Sequence, residues 1–598
     1  MQSKGQGIIM RKINERYVKE QFNDEGVLVD FNLNIPENYN FAYDCVDDIA
    51  LAEPDRPAMV WCNPEGEEHK FTFGDIKKWS DKTANALKDA GVKKGDMVMV
   101  ILRRHYQFWF TAVALHKLGA VMVPATFMLK EHDLEYRLNA ADIKYIICTS
   151  LGYIPEVVEN TVPNCPSVEK IFLCNGGGGG MGDEQGTMGA NLSGEQGICT
   201  LGIDREGWVD YNAAIREASE DFERVETSAH DPFLMYFSSG TSGDPKMVLH
   251  DSAYSLAHIV TAKHWHNVIS DGGVHFTIAD TGWGKAVWGK FYGQWLMEAC
   301  VMTYDFDRFD AAHILGLIEK YKITTMCCPT TMYRMMMLED VDSFDLSSLV
   351  YSTTAGEALN PDLFEAWKKH TGLTLFEGFG QTETPLTVAN LTNMHPRPGS
   401  MGRPMPLYTM GLLDDEGNEC KPGVTGEICV KMEDKAGWGT PPGILMEYYR
   451  DEARTARAIH DGWYHTGDTA WKDEDGFFWY VGRNDDVIKS SGYRIGPFEI
   501  ESVLMEHDAV AECAVTGVPD PLRGASVKAT IVLAPGFEES EELTKELQRY
   551  CKDKTAPYKF PRIIAYVDAL PKTVNGKIRR AAIRETDFDE HKSIDGLE

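Results

Sequence analysis

The sequence predicts an α/β protein with a large N-terminal domain of mostly parallel sheets flanked by helices, and a small mobile α+β C-terminal domain. Three observations carry the prediction: chain length, an alternation of apolar runs with helical stretches, and a change of character after Tyr480. A chain of 598 residues exceeds what one hydrophobic core holds together, so a second domain is expected. From about Phe71 to Thr149, strand-like and helix-like segments alternate. Residues 96–102 (DMVMVIL) read as a buried strand and 106–118 as a helix. Val121-Met122-Val123-Pro124 reads as a strand, 131–138 as a helix, and Tyr145-Ile146-Ile147-Cys148 as a strand again. Alternation at this spacing argues a parallel sheet, and the same rhythm returns between Ala311 and Phe376.

After Tyr480 the polar, turn-prone run Val481-Gly482-Arg483-Asn484-Asp485-Asp486 leads into shorter strand-like and helix-like segments. The division expected is therefore 1–483, a joint at 484–486, and 487–598. Between Asn175 and Gly197, the stretch NGGGGGMGDEQGTMGANLSGEQG has too few apolar residues to offset the entropy of ordering it. It reads as a flexible surface insertion; no strand–glycine loop–helix context makes it a phosphate cradle. The run Thr331 to Met337 (TMYRMMM) reads as adaptable core.

Composition narrows the function. With 43% hydrophobic and 25% charged residues the chain is globular, and no apolar run reaches the roughly 18 residues of a membrane span. The N-terminal apolar run Ile8-Ile9-Met10 is too short for a signal peptide, which makes a cytoplasmic location the expectation. A net charge of −32 disfavours nucleic acid or an anionic membrane as partner. Thirteen cysteines without a CxxC pair exclude zinc ribbons and the thioredoxin motif, and read as reduced thiols. The histidines show no HExxH or triad spacing, and Pro398-Gly399-Ser400-Met401-Gly402 lacks the first glycine of a nucleophile elbow.

The most informative segment is Ser238-Ser239-Gly240-Thr241-Ser242-Gly243-Asp244-Pro245-Lys246, preceded by the apolar run Phe233 to Phe237. Glycines let backbone N–H groups approach phosphate oxygens, hydroxyls add donors, and lysine adds a point charge. The Walker A spacing is absent. Read alone, the segment suits a surface loop as well as a phosphate site. Further segments shift that balance: Glu377-Gly378-Phe379-Gly380-Gln381-Thr382-Glu383-Thr384; Tyr464-His465-Thr466-Gly467-Asp468 followed by Gly482 to Asp486; and Pro571-Lys572-Thr573-Val574-Asn575-Gly576-Lys577.

In this order the segments resemble the adenylate-forming superfamily of acyl-CoA synthetases, adenylation domains and luciferases. Residues 491–499 (SGYRIGPFE) and 556–562 (APYKFPR) look most like its medium-chain acyl-CoA synthetases, and the resemblance runs from roughly residue 30 to 585. It implies that Ser238 to Lys246 wraps the pyrophosphate of ATP, with Lys246 among the catalytic groups. Glu377 to Gln381 would border the nucleotide, Gly378-Phe379 lying against adenine. Thr382 would touch the α-phosphate and the acyl group, and Glu383 would help place Mg²⁺. Asp468 and Arg483 would hold the ribose, and Lys577 would reach the α-phosphate and the carboxylate. Ser491, Gly492, Tyr493, Arg494, Arg523, Lys552 and Phe560 would contact CoA.

Relatives limited to acetate close the acyl pocket with a tryptophan where this sequence has Gly380, so an acid larger than acetate is expected, short-branched to medium-chain or aryl. Trp283 is open between acyl-pocket wall and core. Asp485, two residues past Arg483, is the implied hinge, in a segment with no apolar residue to pack. The implied reaction is acid + ATP + CoA → acyl-CoA + AMP + pyrophosphate, through an acyl-adenylate. A stand-alone enzyme loading a carrier protein is the alternative, and a non-catalytic nucleotide or acyl-CoA sensor a more distant one. The resemblance leaves a homo-oligomer open, as it does an acetyltransferase and deacetylase acting on Lys577. The chemistry explains the residue types: two anions must meet, and a pair of charges 4 Å apart repels by about 4 kcal/mol at an effective dielectric of 20. Positioning plus electrostatic stabilisation should dominate.

Overall fold

A computed structural model describes residues 12–176, 205–238, 245–433, 437–490, 493–520, 523–556, 558–572 and 578–586. The glycine-rich stretch from 177 onward, Ser239 to Asp244, Ser491-Gly492 and Lys577 lie outside them.

Two large sheets form the body. One has eight strands in the order Glu447–Tyr448, Lys246–Asp251, Pro232–Ser238, Val121–Pro124, Met97–Ile101, Tyr145–Thr149, Lys170–Cys174 and Val209–Asp210. Its strands run parallel from Pro232–Ser238 onward, and the two at the other edge are antiparallel. The second has nine strands, with a parallel centre of Leu375–Gly380, Tyr351–Ala355, Thr325–Cys327, Val274–Thr277, Cys300–Tyr304 and Pro57–Cys62 and antiparallel strands at both edges. Met97–Ile101 shows why the alternation was readable. All five residues are buried, Val98 and Val100 in a core shared with the second sheet, Met97, Met99 and Ile101 under the outer helices. A strand covered on both faces reads as one apolar run.

Between the sheets lies the helix Gln107–Leu118, buried at every residue, with Trp109 Nε1 donating to Lys290 O 3.0 Å away. Ion pairs beyond the strand ends tie the sheets together: Arg104 Nη1 to Asp280 Oδ2 at 3.1 Å, and His105 Nδ1 to Asp305 Oδ2 at 2.5 Å. The expected boundaries hold to within two residues, as in Glu131–Ala140 against 131–138. The methionine run is divided: in the helix Thr330–Met336, Tyr333 and Met336 are buried and Met335 is exposed.

A third, five-stranded sheet contains Met410–Leu413, Gly426–Lys431, Trp463–Lys472, Ile459–His460 and Phe478–Arg483. Beyond it come the hairpin Ile488–Ser490 with Tyr493–Ile495, the helix Pro497–Leu504, and a three-stranded sheet of Val510–Asp520, Gly524–Leu533 and Ile563–Tyr566. No helix among the described residues is long and apolar enough to cross a membrane.

Candidate active site

Each of the first three sheets brings one sequence segment to a common place. In the eight-stranded sheet, Ser238 and Lys246 are register partners of an antiparallel pair, so the hydroxyl–glycine segment is bracketed in the chain by two pinned strand ends. Strand–loop–strand differs from the strand–loop–helix of a Walker A site, consistent with the missing motif spacing. From the second sheet the strand Leu375–Gly380 delivers Gln381 to Glu383, and from the third Trp463–Lys472 delivers Thr466 to Asp468.

Asp468, 5% exposed, is the best-held carboxylate. Its Oδ1 accepts from Tyr480 OH at 3.0 Å; its Oδ2 accepts from Gln381 Nε2 at 2.5 Å and lies 3.4 Å from Arg483 Nη1. Gln381 is itself fixed, accepting from Tyr464 OH at 2.8 Å and donating to Thr466 O at 2.9 Å. Arg483 also donates to Thr466 O at 3.2 Å. Burial works against its charge, but Asp468 and Asp485 outweigh burial and hold the guanidinium above its ordinary pKa. Gly467 has φ +71°, and a Cβ there would lie 3.0 Å from Arg483 Nη2, so glycine permits both the turn and the close approach.

Glu383 is buried beside Lys246. Its Oε1 accepts from Tyr448 OH at 3.0 Å and lies 3.9 Å from Lys246 Nζ, while its backbone carbonyl accepts from Leu445 N at 2.8 Å. Burial, and the charges of Arg483 and Arg454, hold the Lys246 ammonium below its usual pKa against the pull of Glu383. Thr382 is placed through its backbone, whose carbonyl accepts from His250 Nε2 at 2.8 Å. His250 is neutral, pushed down to about 4 by burial. Two cations and two carboxylates thus converge from three sheets, an arrangement suited to a polyanion bearing hydroxyl groups. A hard cation fits Glu383: Oε1 is engaged, and Oε2 makes no hydrogen bond among the described residues.

Two expectations are corrected, and one left open is placed in the fold. The space expected beside Gly380 is filled, because a Cβ there would lie 2.4 Å from Pro385 O and 2.6 Å from Trp288 Cη2. Glycine serves there to let an indole pack against the backbone. Trp283, left open between acyl-pocket wall and core, precedes the helix Gly284–Lys290 at its N-cap, half-buried, and is not among the atoms nearest Gly380. Trp288 is the tryptophan that meets Gly380, its Nε1 donating to Tyr254 OH at 3.0 Å. Nothing local distinguished it, since Trp288 and Gly380 meet only through the fold. Finally, the Glu377 carboxyl is not at the nucleotide face: it is 4% exposed, bonded to the Leu359 N–H and pushed up to about 8 by burial.

Of the remaining residues, Gly378 lets Trp265 and Leu386 approach within 3 Å of where a Cβ would stand. Phe379 faces Tyr480, ring centroids 6.3 Å apart. Lys552 stands 5.8 Å from the centroid of the Phe560 ring, and Arg562 4.7 Å from it. Arg523 is exposed just before Gly524–Leu533, its backbone N–H donating to Asp520 Oδ1 at 3.1 Å. Tyr493 and Arg494 lie in the strand Tyr493–Ile495. Asp485 is exposed, its carboxylate 3.6 Å from Arg483 Nε, in a turn where Asn484 N donates to Gly467 O at 2.8 Å.

Comparison with known proteins follows this geometry. The AMP-binding enzyme model matches residues 46–435, and the AMP-binding enzyme C-terminal domain model matches 499–577. The human mitochondrial acyl-coenzyme A synthetase ACSM5 is 40% identical over 93% of this chain and 91% of its own. The rat mitochondrial acyl-coenzyme A synthetase ACSM3 is 37% identical over 95% and 93%. Among solved structures, the anthranilate CoA ligase AuaEII in complex with anthranoyl-AMP aligns with TM-score 0.80 and 28% identity, covering 93% of this chain and 99% of that one.

Proposed function

We infer the reaction from one premise: the chain belongs to the AMP-binding enzyme family and, within it, to the medium-chain acyl-CoA synthetases. It is an AMP-forming acid–thiol ligase that takes ATP and CoA as substrates. The observation that carries our finer reading is the meeting of Lys246, Glu383, Asp468 and Arg483. Asp468, its two oxygens positioned by Tyr480 and Gln381, receives the ribose hydroxyls, and Arg483 steadies both. Lys246 stands beside the phosphates, its partial desolvation strengthening its field on a bound anion. Glu383 and its supporting Tyr448 would hold Mg²⁺, which when bound neutralises phosphate charge. Lys577 supplies the further cation where the carboxylate attacks. Acetylating it would cancel that charge, so an acetyltransferase and deacetylase pair would act as a switch.

The acyl group is bounded by Trp288 rather than by a gap at Gly380. Swinging that indole is the way to lengthen the pocket, and we assign short-branched to medium-chain or aryl acids. The test is pyrophosphate release over a panel of carboxylates, with and without CoA. Thioester formation on free CoA with several medium-chain or aryl acids is expected. Adenylate formation with transfer to a carrier protein but not to CoA would overturn the assignment of the acceptor.

A further inference from the structure

We propose that Glu427, Cys429 and His465 form a binding site for one thiophilic divalent cation of the zinc type. The three lie on one face of the five-stranded sheet. Glu427 and Cys429 are two apart on Gly426–Lys431 and so share a face, and His465 on Trp463–Lys472 is the register partner of Cys429, the pairing of the two strands shifting register between Glu427 and Cys429. Two alternate residues on one strand and one opposite them gather three ligands around a point. Their ligand atoms all lie within 4.8 Å of one another.

His465 Nδ1 is 3.4 Å from Cys429 Sγ and 3.0 Å from Glu427 Oε2. Tetrahedral zinc, with bonds of about 2.3 Å to sulfur and about 2.0 Å to nitrogen, holds those two atoms about 3.5 Å apart. Little movement is needed to admit the ion. One imidazole nitrogen has a single proton or a single lone pair to offer, so it cannot serve a thiol and a carboxylate equally. A cation satisfies all three.

Surroundings favour the same reading. Gly411 is the partner of Cys429 on the other neighbouring strand, and a Cβ there would meet Trp463 Cη2 at 2.9 Å and Glu419 Oε2 at 3.0 Å, so a second carboxylate, itself paired with Lys472, stands near the cluster. Glu427 and His465 keep 21% and 17% of their side chains exposed, which gives the ion a way in. The His465 ring is held by stacking on His460, centroids 3.9 Å apart. Binding converts the Cys429 thiol to a thiolate, its proton leaving to solvent, with water in the fourth position; no electron moves. The other Glu427 oxygen accepts from Gly467 N at 2.8 Å, which ties the site to the loop carrying Asp468.

The test is cobalt titration of full-length protein freed of metal by chelation, because Co²⁺ takes the same ligands and reports them by absorption. Expected are tetrahedral visible bands and a thiolate charge-transfer band that saturate at one equivalent and are displaced by Zn²⁺. Cys429→Ser should lose the charge-transfer band. Glu427→Gln, which keeps an acceptor for Gly467 N, should bind at least about tenfold more weakly, the loss seen even for outer partners of a metal site. No charge-transfer band in the parent, the same band in Cys429→Ser, or unchanged affinity in Glu427→Gln would overturn the site.

Discussion

Arg483 faces two aspartates whose surroundings differ sharply. Asp468 is 5% exposed and has contacts from Tyr480 and Arg483, both on the strand Phe478–Arg483, and from Gln381 just past the end of another strand. The Asp485 side chain is 40% exposed and meets Arg483 at 3.6 Å. Next to it, Asp486 pairs with Arg584 at 2.5 Å and Arg580 at 3.8 Å, and Arg580 in turn with Glu501 at 2.7 Å. A buried carboxylate with several donors is costly to displace, whereas an exposed pair such as Asp485 with Arg483 contributes about 0–1 kcal/mol and re-forms elsewhere cheaply; Asp486, 9% exposed at its side chain, is held instead by arginines that follow it in the chain. The contrast teaches that the ribose side of the site is preorganised, and that the segment leaving it is joined by contacts a rotation can exchange.

The largest effect should come from Lys577, on the far side of that joint. Lys577→Ala should slow adenylate formation on the order of 100-fold or more, by analogy with losing an oxyanion donor. Thioester formation from supplied acyl-AMP should survive, and pyrophosphate exchange beside a thioester assay reads the two halves. Equal loss of both would place Lys577 in the fixed part of the site.

Asp485→Pro sharpens the comparison at the joint itself. Proline fixes φ near −65° and restricts Asn484 before it, while every side-chain contact of Asp468 stays in place. Adenylate formation in single turnover is expected within a few-fold of the parent. Transfer to CoA should fall roughly tenfold or more if rotation limits it. Parent-like turnover in the complete reaction would mean that no large rotation passes through Asp485.

On the rigid side, Trp288→Ala should open the space beside Gly380 and shift kcat/KM toward longer acids by about 10- to 100-fold, the worth of one or two methylenes in a pocket. An unchanged chain-length profile would remove Trp288 from the acyl wall. Tyr254→Phe, which deletes the bond to the indole nitrogen, should move the profile in the same direction by less.

A last test, read in stability rather than in rate, asks how rigid that side is. Burial raises Glu377 to about 8, so the folded state holds a proton that the unfolded chain releases near its ordinary pKa of 4.5. Stability should therefore be greatest below about pH 4.5 as far as this group is concerned, and decline toward pH 8 by up to about 1.4 kcal/mol per unit. Glu377→Gln keeps an acceptor for the Leu359 N–H and should flatten that slope in denaturant titrations between pH 5 and pH 8. An unaltered slope would show that Glu377 is ionised and solvated in the folded enzyme.

What was legible in the sequence was what local pattern encodes. Met97–Ile101 is apolar at every position because both faces are covered, and Lys246 was recognisable because the loop before it is rich in glycine and hydroxyls. What escaped depends on residues distant in the chain. Trp283 was open between acyl-pocket wall and core, yet the contact with Gly380 belongs to Trp288, five residues further along on the helix Gly284–Lys290. The carboxyl of Glu377 sits in a nucleotide motif but points into the protein, as alternate positions of a strand do. The gathering of Glu427, Cys429 and His465 has no CxxC or HExxH spacing, because its third member comes from the strand alongside.

The helix Gln107–Leu118 has a consequence for how the molecule comes apart. Every residue of it is buried in the core that both large sheets share, so neither sheet retains an intact interior once the other is lost. The two should melt as a single cooperative unit, and the amides of this helix should exchange with solvent deuterium only through global opening. Exchange across Asn484 to Val487 should be orders of magnitude faster, and a catalytic cycle that opened the sheets rather than turning about this joint would erase the difference.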